Sequence, residues 1–66
     1  MNMKPLEDAI NKIGTQTKLA KLIGVRQSNI SNWLYRDKKI PAEHVLAIEK
    51  VTGISRHVLR PDIYPK

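Results

Sequence analysis

Gln27, Ser28, Asn29, Ser31 and Asn32 are polar side chains of the kind that read nucleic-acid bases, gathered in one short stretch. A glutamine carboxamide can bond adenine through two atoms at once, and serine and asparagine bond several base edges. Ile30 and Trp33 interrupt the set at a spacing of three, so a helix here turns that apolar pair to one face. Gln27, Ser28 and Asn32 then project away from the core, with Asn29 and Ser31 flanking them. Upstream, the small Ala20 permits a second helix to cross closely. Gly24, four residues later, permits a sharp turn with positive φ, and Val25 plugs it. The joint spacing of Ala20, Gly24, Ile30 and Trp33 is that of a helix-turn-helix, whose second helix enters the major groove with its N-terminal residues facing the bases.

A backbone clamp is expected beside this reading surface. Gln16 and Thr17 open the helix that precedes the turn, where exposed amides and hydroxyls can bond phosphate. Lys18, Lys21, Arg26, Arg36, Lys38 and Lys39 lie within or just after the motif. Six of the twelve basic residues thus fall in residues 16–39, together with a single acid, Asp37. Arg26 and Lys38 flank the ends of the reading helix and are the foremost phosphate candidates.

The rest of the composition is consistent with this chemistry. Twelve Lys+Arg against six Asp+Glu give a formal charge of +6 in 66 residues, a field that favours an anionic partner. The chain is long enough for one domain, expected to span 1–66. It has no cysteine, so no disulfide and no thiolate metal site. His44 and His57 lack partners at ligand spacing, and neither metal nor cofactor is expected. No apolar run reaches the roughly 18 residues that a span requires, and the N-terminus is not of signal-peptide type. A cytoplasmic protein, nucleoid-associated when bound, is therefore expected, with no membrane and no small-molecule substrate. Catalysis is not expected either: there is no nucleophile elbow, no carboxylate pair in an apolar setting and no glycine-rich phosphate loop.

Five helical segments must position these residues. The first covers about Pro5 to Ile13, with Leu6, Ala9, Ile10 and Ile13 in one stripe and Gly14 as its stop. Thr15 caps a second over Gln16 to Ile23. The third covers Gln27 to Tyr35, with Trp33 in the core. Tyr35 either contacts DNA backbone or packs at the helix end. Pro41 opens a fourth that runs to Thr52 and ends at Gly53. Ser55 caps a short fifth over Arg56 to Arg60, closed by Pro61. The tail from Asp62 to Lys66 is expected to be extended, with Ile63 and Tyr64 folding back on the core or joining a dimer contact. No function is assigned to His57.

The run Gln16-Thr17-Lys18, Ala20-Lys21, Gly24-Val25 and Gln27-Ser28 resembles the helix-turn-helix of the Cro/CI-like family of small phage and prophage repressors. The run Ser55-Arg56-His57-Val58-Leu59-Arg60-Pro61-Asp62-Ile63-Tyr64-Pro65 resembles the ending of YdaS-type Cro-like regulators. The two motifs cover about half of the chain. Lambda Cro follows its helix-turn-helix with strands, whereas this chain continues with Pro41 and a helical pattern. The resemblance therefore implies an all-α, lambda repressor-like bundle of about five short helices. It implies a Cro-like repressor that binds double-stranded operator DNA as a homodimer. A YdaS-like antitoxin or partner-binding module with secondary DNA binding is the alternative, and general nucleic-acid or RNA binding is another. The absence of an exposed aromatic platform weighs against the latter.

Overall fold

In the computed structural model, which describes residues 2–65, the chain is all helix and turn. The helices are α1 (Lys4–Ile13), α2 (Gln16–Ile23), α3 (Gln27–Asn32), α4 (Ala42–Thr52) and α5 (Arg56–Leu59), with a π-helical turn, Trp33–Asp37, continuing α3. This is the five-helix all-α fold expected from the sequence. Among the described residues no helix is long and apolar enough to cross a membrane.

Each helix ends where local chemistry stops it. Pro5 lies in the first turn of α1, and Gly14 closes the helix with its N–H on the Ile10 carbonyl at 2.7 Å. Thr15 caps α2 by accepting from the Lys18 amide at 3.1 Å. Gly24 ends α2 in the left-handed region at φ 78°. A Cβ at Gly24 would meet nothing within 4 Å, so the position needs glycine for its backbone angle and not for space. Ser55 caps α5 through the His57 amide at 3.1 Å. Pro41 is the N-cap of α4 and not its first helical residue.

The core gathers Leu6 and Ala9 of α1, Leu19 and Ala20 of α2, and Ile30, Trp33 and Leu34 at and beyond α3. Ile40, Val45, Ile48 and Leu59 complete it. On α4 the buried line is Val45, Ile48 and Thr52, and the apolar Ala42 and Leu46 face outward. The Thr52 hydroxyl donates to the Ile48 carbonyl at 2.7 Å and accepts from the Ile54 amide at 3.1 Å. No buried side-chain polar atom among the described residues lacks a partner.

Two expectations fail. The third helix does not run regularly to Tyr35; it widens into the π turn and closes on Lys38 at φ 57°. Two adjacent large side chains, Trp33 and Leu34, both enter the core at that turn. The tail is not extended over its described part. Pro61–Ile63 form a turn, and the Tyr64 amide reaches back to the Arg60 carbonyl at 2.9 Å. Tyr64 thereby packs against the core while Ile63 stays exposed. Lys66 lies outside the described residues.

Candidate nucleic-acid interface

The α2–α3 corner is set by a few backbone bonds. The Val25 amide donates to the Ala20 carbonyl at 2.9 Å, and the left-handed Gly24 lets the chain reverse there. Arg26 is extended and makes no side-chain cap, which leaves its guanidinium in solvent. Ala20 is buried where α3 crosses α2, as its size requires.

At about 100° per residue, Ile30, Trp33 and Leu34 define the inward side of α3 and its continuation. Ser28 and Asn32 then lie opposite, Ser31 and Asn29 at the two margins, and Gln27 on the Leu34 side, about 60° from Ile30 and not opposite the core as read from sequence. Exposure follows position along the helix more than angle around it. Gln27 and Ser28 are exposed, whereas Asn29, Ser31 and Asn32 are partly covered. The five residues read from sequence thus share one helix, and its first turn is the most accessible part.

The two helix starts are joined directly. The Gln27 Nε2 donates to the Gln16 Oε1 at 2.7 Å. Gln16 was read as a phosphate residue and Gln27 as a base reader, and the fold places them in one hydrogen bond. The bond fixes the Gln27 carboxamide yet leaves its carbonyl oxygen and second N–H free, the pair needed for a bidentate contact with adenine.

The expected phosphate residues divide. Thr17, Lys21, Arg26, Lys38 and Lys39 are exposed. Arg36 is exposed too but gives its Nε to Asp37 at 3.0 Å, which offsets part of its charge. Lys18 leans over the end of α1, its Cδ 3.7 Å from where a Cβ on Gly14 would sit. The loop carrying Lys38 and Lys39 ends at the buried Ile40. Tyr35 is 68% exposed, so it does not pack at the helix end.

Sequence reading missed what holds that loop. The Arg60 side chain, 7% exposed as a residue, donates from Nη1 to the Ile40 carbonyl. Its Nε and Nη2 fork onto the two oxygens of Asp62 at 2.9 and 2.7 Å. The guanidinium holds the Asp62 carboxyl down at about 2. The C-terminal motif, which carried no chemistry in sequence, therefore ties the tail to the segment just after α3 and its π turn. Arg56 reinforces it: its guanidinium and backbone amide both bond Glu49, at 2.9 and 2.6 Å, and hold that carboxyl below its usual range. His57 Nδ1 lies 2.8 Å from the Tyr64 carbonyl oxygen. The Arg-Pro-Asp run at 60–62 was the one available signal. Trp33 has a further partner unseen in sequence, His44, stacked at 5.3 Å between ring centroids.

Comparisons with known proteins agree with this architecture. A family profile described as "Bacterial toxin YdaS" matches residues 6–66. The Gene 30 protein of Enterobacteria phage phi80 is 39% identical over 61 residues, which cover 91% of this chain and 84% of that protein. A protein named "Putative transcriptional regulator YdaS", from Escherichia coli K12, is 36% identical over 53 residues. That match covers 77% of this chain and 54% of the regulator, so the chain spans about half of its length. Among solved structures, the Cro protein from prophage element Xfaso 1 of Xylella fastidiosa strain Ann-1 superposes with a TM-score of 0.90. It is 44% identical, with 97% of this chain and 100% of that chain covered.

Proposed function

The chain belongs to the YdaS family of Cro-like phage regulators, and from that premise we propose that it is a sequence-specific, double-stranded DNA-binding repressor. The observation that carries the reading is the Gln16–Gln27 bond. It orients an exposed carboxamide at the start of α3, with one donor and one acceptor unspent. Gln27, Ser28 and Asn32 read base edges in the major groove, and Asn29 and Ser31 border them. Thr17, Arg26, Lys38 and Lys39 grip phosphates on either side, and the +6 charge draws the duplex in. Operator occupancy then blocks a promoter. The protein acts in the bacterial cytoplasm, on the nucleoid.

Length argues for two copies on DNA. The six residues of α3 span about 9 Å, enough for two or three base pairs at about 3.4 Å each. So short a reading frame gives too little discrimination alone, and a homodimer on a pseudo-palindromic site doubles it.

Selection of bound duplexes from a random pool tests the proposal. A pseudo-palindromic site should emerge, and Gln27→Ala should lose about 1–3 kcal/mol on it and much less on random duplex. Equal losses on both would remove α3 as the reading element. If each protomer neutralises four to six phosphates, the dimer's log–log salt slope should be on the order of −7 to −11, and a slope shallower than about −2 would refute the clamp.

A further inference from the structure

The end of α1 and the outer side of α2 enclose a shallow depression of about 380 Å³, lined by Lys12, Ile13, Lys18, Lys21 and Leu22. Leu22 is 56% exposed and Ile13 is partly covered, so an apolar floor lies open to solvent. Base reading and phosphate contact have no use for that leucine. It sits six residues beyond Gln16, roughly 9 Å along α2 from the Gln16–Gln27 bond.

The rim is positive and uncompensated. Among the described residues, Asp8 pairs with Lys4, Asp37 with Arg36, Glu49 with Arg56 and Asp62 with Arg60, and Glu43 lies 4.0 Å from His44. Five of the six acids are thus engaged elsewhere, and the sixth, Glu7, lines a different cavity beside Tyr35 and Lys38. None pairs with Lys12, Lys18 or Lys21. Two of these lysines lie near helix ends. Lys12 Nζ lies 3.7 Å from where a Cβ on Gly53 would sit, just past the end of α4, and Lys18 Nζ 3.9 Å from the same position on Gly14, just past the end of α1. Carbonyl-rich helix ends attract cations, which favours ammonium groups at the rim.

We propose that this lysine-rimmed patch docks an acidic amphipathic segment of a second protein. An apolar side chain of the partner would cover Leu22 and Ile13, and its carboxylates would meet the three lysines. A DNA backbone would satisfy the charges but leave the apolar floor wet, whereas an acidic amphipathic segment satisfies both. The inference gives Lys18 and Lys21 a protein partner in place of phosphate. It does not depend on α3 reading DNA.

The test titrates the isotope-labelled full chain with two synthetic helical peptides followed by NMR. One carries leucines at a spacing of three and four flanked by glutamates; the other replaces the glutamates with lysines. The acidic peptide should bind saturably and shift the amides of Ile13, Lys18, Lys21 and Leu22, and the basic one should not bind. Leu22→Ser should weaken the acidic peptide about fivefold to tenfold, with melting temperature and DNA affinity unchanged. Lys21→Glu should weaken the acidic peptide by a similar factor and improve binding of the basic one. Three outcomes overturn the proposal: no saturable binding, shifts centred on another face, or an affinity indifferent to Leu22→Ser. Duplex DNA shifting the patch amides as strongly as those of α3 would also overturn it, marking the patch as DNA-contacting surface.

Discussion

Replacing Lys38 with glycine should make the protein more stable and poorer at binding DNA. Lys38 closes the turn after α3 at φ 57°, ψ 32°, the one non-glycine positive φ among the described residues. A residue with a Cβ costs about 1–2 kcal/mol in that region. Glycine avoids the cost but gives back about 0.5–1 kcal/mol in chain entropy. The net gain spans about 0–1.5 kcal/mol and centres on about 0.75 kcal/mol, or roughly 3–6 °C in melting temperature for a domain of this size. No ion pair is lost, because Lys38 is exposed and has none among the described residues. If Lys38 grips a phosphate, each protomer loses about 0.9 from the magnitude of the salt slope, so a dimer loses about 2. Lys38→Ala is the control: it removes the same charge and keeps the strained backbone, so it should share the binding loss without the stability gain. Thermal melts and salt-dependent anisotropy titrations of the three proteins read both effects. A glycine variant no more stable than the alanine variant would refute the left-handed cap. An unchanged salt slope would refute the phosphate role.

Trp33→Ala should cost about 3–5 kcal/mol in urea denaturation, since the ring is 4% exposed and fills the centre of the core. A variant that kept its full stability but lost DNA binding would place the ring in the interface. At Gly24 the penalty should come from the backbone alone, because space around its Cβ position is free. Gly24→Asn should therefore stay within about 1 kcal/mol of the parent, and Gly24→Val should lose about 1–3 kcal/mol; equal losses would point to a steric cause. Asp62 titrates at about 2 in the fold, below its ordinary 3.8. Its contribution is complete above the unfolded value and is lost as the pH falls from about 4 towards 2. Asp62→Asn should lower stability at neutral pH and flatten that part of the acid limb; an unchanged limb would mean that the Arg60 fork does not form in solution.

Helix ends were legible because their signals are local. Thr15, Ser55, Gly14, Gly24 and Gly53 each act within one turn, through a cap bond or a backbone angle that few other residues adopt. The polar side of α3 was legible for a related reason. Ile30 and Trp33 name the inward side, and helical geometry sets Ser28 and Asn32 opposite it, while Gln27 is exposed because it opens the helix. What could not be read were the partners of long or late side chains. The Gln16–Gln27 bond crosses 11 positions, and the Arg60 to Ile40 bond crosses 20. No periodicity carries such a pairing.

The sequence alone determined the kind of protein: a small basic helical domain with a helix-turn-helix, its polar face, and membership of a Cro-like group. These follow from period, composition and caps, which act at a range of a few residues. The tertiary structure alone decided how α3 ends and what steadies it. The π turn and the left-handed Lys38 lie in a stretch without glycine, so no residue type announced them. The tail's turn sets Asp62 against the Arg60 guanidinium only two residues back, but that nearly buried guanidinium reaches the Ile40 carbonyl, 20 positions away, only once the tail has folded against the loop after α3. Such interactions form between groups distant in the chain, and folding is what creates their distances.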